Sequence, residues 1–372
     1  MNNEKTCGQV GPPEDFRDLS LGSLDEIFAA NKFSAGKIKN FFLQLKRQKI
    51  SSLSELKNVK NISAIIDLLP FKTLDVVSSV KDKDNNEKIV FKTTDGFFIE
   101  SVLMRSKKKI SICVSVQIGC KIGCNFCTTA KIGFVRSLSA WEIMEQIRII
   151  YSTKIYPDRL SCVSIMGMGE PFDNLENVFK AVEWMNSNYG YQISREKITI
   201  STSGFIPFDN FLLYSKPTNL AVSLHSAKEE VRSKIMNKSP ISLEKLKKYM
   251  IEYVKRSGIA VTVEYCLING LNDSNSDAIE LSEFLSDVFC KVNILNFNTT
   301  IVGKTAEDSA SDLRASRASF FKSVTNDKIR RFVDILKSRG IPTLYRKSLA
   351  TDIGAGCGQL GFSANNIKPT TI

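Results

Sequence analysis

The chain has 372 residues, 43% of them hydrophobic and 24% charged, which is ordinary for a soluble globular protein and enough for one large domain plus a small one. Fifty-one basic residues against 39 acidic ones leave a net charge of +12, which favours polyanionic partners, nucleic acid foremost. No stretch reaches the roughly 18 apolar residues of a membrane span, and nine cysteines without regular pairing point to a reducing, cytoplasmic setting rather than a secreted disulfide framework.

Residues 1–20, with Gly11-Pro12-Pro13, read as a flexible leader. Residues 21–86 read as a small helical accessory domain, with short helices expected over 22–80 and Ile38, Phe41, Phe42 and Leu45 at helical spacing. Residues 87–109 form a linking β-hairpin around Asp95-Gly96. From 110 to 347 apolar strands (110–116, 162–166, 197–201, 220–224, 260–266 and 291–297) alternate with helices near 140–152, 175–187, 227–236, 243–256 and 275–287. Ser139-Ala-Trp-Glu142 is a capping box that opens the first of these helices. Six such units predict an α/β fold, a parallel sheet curled into a partial (β/α)6 barrel with its ligand site at the carboxyl ends of the strands. Residues 348–372 form a C-terminal loop and tail. Basic runs occur at Lys46-Arg47-Gln48-Lys49, Arg105-Ser106-Lys107-Lys108-Lys109 and Lys245-Leu246-Lys247-Lys248; solvated helix faces account for many runs of this kind.

The most specific pattern is Cys120-Lys-Ile-Gly-Cys124-Asn-Phe-Cys127. Three close thiolates can hold three irons of a [4Fe–4S] cube and leave the fourth open for chemistry. A structural zinc site would want a fourth ligand, and the sole histidine, His225, lies far along the chain. The other expected strand ends carry Met166-Gly-Met-Gly169-Glu170-Pro171, Ser201-Thr-Ser-Gly204, Ser223-Leu224-His225 and Asn296-Phe-Asn298. Any one of these is an ordinary turn by itself. Together they line one rim with glycines, hydroxyls, a carboxylate, an imidazole and an amide, groups suited to ammonium, carboxylate and ribose. An open iron beside such a pocket points to S-adenosylmethionine and radical chemistry. His225 reads as a pocket residue, not as an acid–base group.

In these motifs, and in Gly356-Cys357-Gly-Gln-Leu360, the chain resembles the radical-SAM RNA methyltransferases of the RlmN/Cfr type from about residue 30 to about residue 362. The resemblance implies a [4Fe–4S] cluster, one per subunit, on Cys120, Cys124 and Cys127. It implies S-adenosylmethionine held by Gly169, Glu170, Ser201, Ser223, Leu224, His225 and Asn298. Cys357 matches a thiol that carries a methyl group. Cys113, seven residues before the cluster motif, matches the thiol that resolves a protein–RNA adduct by a transient disulfide with Cys357, and Glu100 matches a position proposed as proton acceptor. The implied reaction is methylation of an adenine ring carbon, C2 before C8, in 23S ribosomal RNA, with transfer RNA as a further substrate. A basic accessory domain would grip the RNA phosphates, and an electron donor such as flavodoxin or ferredoxin would serve a monomeric enzyme. A radical enzyme acting on a protein or small molecule, and a non-catalytic RNA-binding relative, are the other classes compatible with the residues. The chain departs from the family at Leu349-Ala-Thr-Asp-Ile-Gly354-Ala-Gly356-Cys357, where the added glycines are expected to loosen the loop, at Met236-Asn237-Lys238-Ser239, at Thr299-Thr300 and in an insertion over 305–323.

Overall fold

The structure, a computed structural model, describes residues 13–60, 62–106, 109–214, 217–237, 239, 241–298, 321–346 and 349–361. The expected insertion lies outside the described residues up to position 320, as do residues 1–12 of the leader and 362–372 of the tail.

Ten strands form one mixed sheet. In chain order the strands are β1 (Asp75–Lys81), β2 (Glu87–Lys92), β3 (Phe98–Ser106), β4 (Lys109–Cys113), β5 (Gln117–Gly119), β6 (Phe134–Ser137), β7 (Cys162–Ile165), β8 (Ile198–Thr202), β9 (Asn219–Ser223), β10 (Val261–Leu267), β11 (Cys290–Asn296) and β12 (Thr343–Tyr345). Strands β1 to β4 are an antiparallel meander. Strands β4, β7, β8, β9, β10, β11 and β12 follow one another in parallel. The helices Leu175–Asn186, Glu229–Met236, Leu243–Ser257, Asn275–Phe284 and Asn326–Ser338 fall between parallel strands. Parallel strands covered on both faces read as near-continuous apolar runs, and β10 is buried along its whole length. β5 and β6 form a separate hairpin around the cysteine loop.

The six expected parallel strands are present, and the hairpin turns at Gly96 with φ 88. Other expectations change. Residues 75–81 are a strand, not a helix: Val76, Val77 and Val80 stay exposed, so no buried face marks them as part of the sheet. A seventh parallel strand, β12, follows the helix Asn326–Ser338. β4 stops at Cys113 because Val114 and Val116 turn their amides to the carbonyls of Ser164 and Met168, at 3.0 and 2.8 Å.

The chain divides into two compact units that do not follow sequence order. One comprises residues 1–74, 139–159 and 176–192, so the first two barrel-type helices group with the N-terminal segment. Its core is aromatic: Phe16, Phe28, Phe41, Phe42 and Trp184 are buried against one another. Residues 13–20 are not a loose leader here. Arg17 is buried and paired with Asp15 and Glu145, and Phe16 is fully enclosed. In the same unit Ser139 donates its amide to Glu142 Oε2 at 3.0 Å, the expected capping box. The other unit holds residues 75–138, 160–175 and 193–372, and with them the sheet and every residue of the candidate site. Of the basic runs, Lys247 and Lys248 are tied into ion pairs with Asp287 and Glu244, a solvated face rather than an open patch.

Candidate active site

The carboxyl ends of the parallel strands open into a cavity of about 1150 Å³, mouth included. Cys120, Cys124 and Cys127 line it together with Gly169, Glu170, Ser201, Ser223, His225 and Asn298. Leu224 is fully buried and is not part of this lining; its amide is spent on the Glu264 carbonyl, 3.0 Å away.

The loop after β7 is seated by its glycines. Gly167 N donates to Val114 O at 2.9 Å, and Glu170 N donates to the Gln117 side-chain oxygen at 2.9 Å. Gly169 has φ 103, and a Cβ there would lie 2.5 Å from Cβ of Gln117. Only glycine brings the backbone this close. Glu170, once delivered, accepts from Ser203 N at 2.8 Å and Phe172 N at 3.1 Å, and burial raises its pKa. A carboxylate turned onto backbone amides in this way holds the loop in shape.

His225 sits at φ 59 after β9. Its Nδ1 accepts from Cys266 N at 3.0 Å, and its ring meets Phe126 edge-on at 5.3 Å. Burial, with the charge of Arg232 behind it, pulls its pKa down to about 3. The ring is neutral, and with Nδ1 as acceptor the proton is on Nε2, leaving a donor and not a base. Three further groups on the wall carried no local motif: Glu264, Arg346 and Cys266. Glu264 is buried, accepts from the Asn293 amide at 3.1 Å, and is shifted upward by desolvation. A carboxylate within the mostly apolar run Val261–Leu267 was the signal available for it.

A second cavity of about 650 Å³ adjoins the first. Cys113 lines it, and Cys127, Met166, Arg346, Cys357 and Gly358 line both cavities. Cys357 therefore stands at the junction between the cysteine loop and Cys113. Its loop is fastened on both sides. Thr128 N donates to Gly358 O at 2.7 Å, Thr129 Oγ1 donates to Leu360 O at 2.8 Å, and Gly356 N donates to Gln359 Oε1 at 2.9 Å. The expected loosening by glycine is offset by these ties, and Gly354 serves a left-handed turn at φ 63. Glu100 lines neither cavity. It is fully buried, and its Oε2 accepts from Gly361 N at 3.0 Å.

Residues 114–282 match the Radical SAM superfamily. The "Probable dual-specificity RNA methyltransferase RlmN" of Clostridium perfringens strain 13 is 33% identical over 352 residues, 92% of this chain and 95% of that protein. The protein of the same name from Acholeplasma laidlawii is 36% identical over 92% of this chain and 97% of its own. The chain belongs to the RlmN family. The crystal structure of a radical SAM methyltransferase from Sphaerobacter thermophilus agrees, with a TM-score of 0.80 and 32% identity over 94% of this chain and 99% of that one. RlmN-type enzymes imply a [4Fe–4S] cluster and S-adenosylmethionine, and the residues present fit both. Burial pushes the Cys120 thiol up to about 12 and raises Cys124 and Cys127 as well, so the thiols of the unloaded site are protonated and a bound cluster would displace those protons. Arg232, buried to 1% exposure, lies within electrostatic range of Cys124 and stacks over Phe205 at 5.2 Å, and its Nε finds no protein partner. An orphaned cationic donor beside a thiol suits an anionic cluster. Sequence reading overlooked it, although Arg232 shares a helix face with buried Ile235 and Met236.

Proposed function

We propose that this RlmN-family methyltransferase methylates carbon 2 of an adenine in ribosomal RNA, and of transfer RNA as well, with Cys357 as methyl carrier and Cys113 as resolving thiol. The observation that carries this reading is the position of Cys357 on both cavities, one lined by the cluster cysteines and the other by Cys113. When bound, the cluster and S-adenosylmethionine supply a carbon radical able to take hydrogen from an unactivated methyl group. The protein's own part is to hold and release. Cys120, Cys124 and Cys127 bind the cluster. Gly169, Glu170, Ser201, Ser223, His225 and Asn298 shape the S-adenosylmethionine pocket, and Leu224 acts only from behind it, by fixing the strand end between Ser223 and His225. Cys357 gives up its proton and holds the methyl group on sulfur. Once the carbon held on Cys357 is bonded to the base, the Cys113 thiolate would attack the Cys357 sulfur: the S–S bond forms as the sulfur–carbon bond breaks, and the carbon keeps the electron pair and takes a proton, which frees the methylated base. Glu100 is assigned as proton acceptor, acting after the C-terminal loop has shifted. The target base must be turned out of its stack to bring a ring carbon to Cys357 on the cavity wall. The helical N-terminal residues would grip phosphate, in a monomeric cytoplasmic enzyme reduced by a flavodoxin or ferredoxin.

Mass spectrometry of digested RNA from a deletion strain tests this reading. A missing 2-methyladenosine is expected; an unchanged profile would turn the search to protein or small-molecule substrates. Cys357→Ala should abolish methylation yet still permit reductive cleavage of S-adenosylmethionine. Cys113→Ala should trap a protein–RNA crosslink, and free methylated RNA from that variant would contradict the resolving role.

A further inference from the structure

The cysteine loop has two sides. Its inner side faces the large cavity and Cys357. On its outer side the same three cysteines line a separate recess of about 930 Å³ with Lys121, Lys131 and Phe134. Neither Cys357 nor any S-adenosylmethionine residue named above belongs to that recess. Phe134 is 44% exposed and its neighbour Val135 41%, an apolar pair left on the surface of the short hairpin. Asn125, also on the recess wall, donates its side-chain amide to Lys234 O at 2.8 Å, which sets exposed Lys234 at the border. Lys121 pairs with Asp173. The balance of these charges is positive. An apolar centre with a cationic rim is the pattern of a small, transient protein interface.

We infer that this outer recess docks an acidic one-electron carrier protein of the flavodoxin kind, which reduces the cluster through the loop Cys120–Cys127. The inference rests on the cluster reading above. The redox balance is simple. The carrier loses one electron, the three-thiolate site gains one, and no bond is made or broken in the transfer. RNA is the other polyanion in the reaction, but its base must reach Cys357, which lies on the inner cavities. The carrier needs only a close approach to the cysteines, and the recess supplies it without entering the methyl-transfer chamber. An electron could then arrive while substrate occupies the inner side.

The test uses anaerobic holoenzyme with Lys131→Glu/Lys234→Glu and, separately, Phe134→Ser. Cleavage of S-adenosylmethionine to 5′-deoxyadenosine is followed with reduced flavodoxin and, in parallel, with dithionite. The charge reversal should slow the flavodoxin-driven reaction at least about tenfold at low salt and leave the dithionite-driven one within about twofold of wild type. Calorimetric titration of flavodoxin into the enzyme, without RNA or S-adenosylmethionine, should show a matching loss of affinity and a wild-type affinity that falls with added salt. Phe134→Ser should weaken binding at high salt too. Wild-type rates and affinity in the variants would overturn the proposal, as would equal slowing with dithionite or a loss confined to RNA binding. If the wild-type enzyme fails even with dithionite, the cluster reading fails, and the binding titration still decides the docking site.

Discussion

Lys88 and Glu100 are the sharpest place to test how the Cys357 loop is held. They lie on paired strands β2 and β3, their side chains 7% and 0% exposed, with Lys88 Nζ 3.9 Å from Glu100 Oε2. Lys88 Nζ reaches Gly354 O at 3.5 Å, and Glu100 takes the amide of Gly361 at 3.0 Å, so the pair touches the loop on both sides of Cys357. Glu100→Gln keeps an oxygen for Gly361 but leaves a buried ammonium without its counter-charge. Breaking a buried pair costs about 3–5 kcal/mol; at this long separation, with the Gly354 carbonyl retained, about 2–3 kcal/mol is expected. Lys88→Met should cost about 1–2 kcal/mol, because Glu100 keeps a backbone amide donor. The double variant should recover about 1–2 kcal/mol relative to the sum. Urea denaturation of the four proteins measures the cycle, and additivity within about 0.5 kcal/mol would refute the latch. A second readout separates latch from proton acceptor. Both variants should lower S-methylation of Cys357, seen by peptide mass, if Glu100 chiefly holds the loop. If Glu100 takes a proton during turnover, Glu100→Gln should carry the methyl on Cys357 but fail to pass it to RNA, while Lys88→Met passes it on.

Gly169→Ala places a Cβ 2.5 Å from Cβ of Gln117 at φ 103. It should cost about 2–3 kcal/mol in stability and weaken S-adenosylmethionine binding, read by thermal melting and equilibrium dialysis. Arg232→Met removes a cation near Cys124 and should make the cluster harder to reduce, a shift to more negative potential in an EPR-monitored titration; an unchanged potential would count against its electrostatic role. Desolvation by the surrounding wall, followed by the charge of Glu264, raises the Cys357 pKa and Arg346 opposes the shift; because Cys357 keeps an exposed face, water limits the rise. The thiol is then neutral at physiological pH, and its thiolate fraction grows with pH below the raised value. S-methylation of Cys357 should climb steadily from pH 7 to 9 with no plateau near the ordinary cysteine value of about 8.5.

What could be read in advance tracks local pattern. The six inner strands announce themselves as short apolar runs, most plainly Val261–Leu267, which is buried along its whole length and apolar apart from Thr262 and Glu264. The rim was legible because each cluster of polar residues follows such a strand. β1 was not, since all seven of its residues are exposed and its place in the sheet depends only on pairing with β2. Nor was the burial of Arg17, which looks like part of a charged leader until Glu145, 128 residues away, is brought to it. Glu264 and Arg232 fall between these cases. Each is a charged residue on an apolar strand or helix face, a pattern that marks a buried charge but does not say what it faces.

The loop before Cys357 shows how a departure in sequence need not mean a departure in design. Two glycines replace larger residues there, and free backbone is the simplest expectation. The structure instead ties the loop at Gly354 O, Gly356 N, Gly358 O, Leu360 O and Gly361 N. A side chain at Gly356 would meet Gln359 Oε1 at 2.9 Å and the Asn298 amide at 3.1 Å, so a larger residue there would have to push these side-chain ends aside. Fixed flanks and a thiol on the wall of two cavities suit a short swing better than a long one. A rotation confined to the few residues between the ties would let one sulfur serve the cluster side and the Cys113 side in turn, without unfolding the loop that carries it.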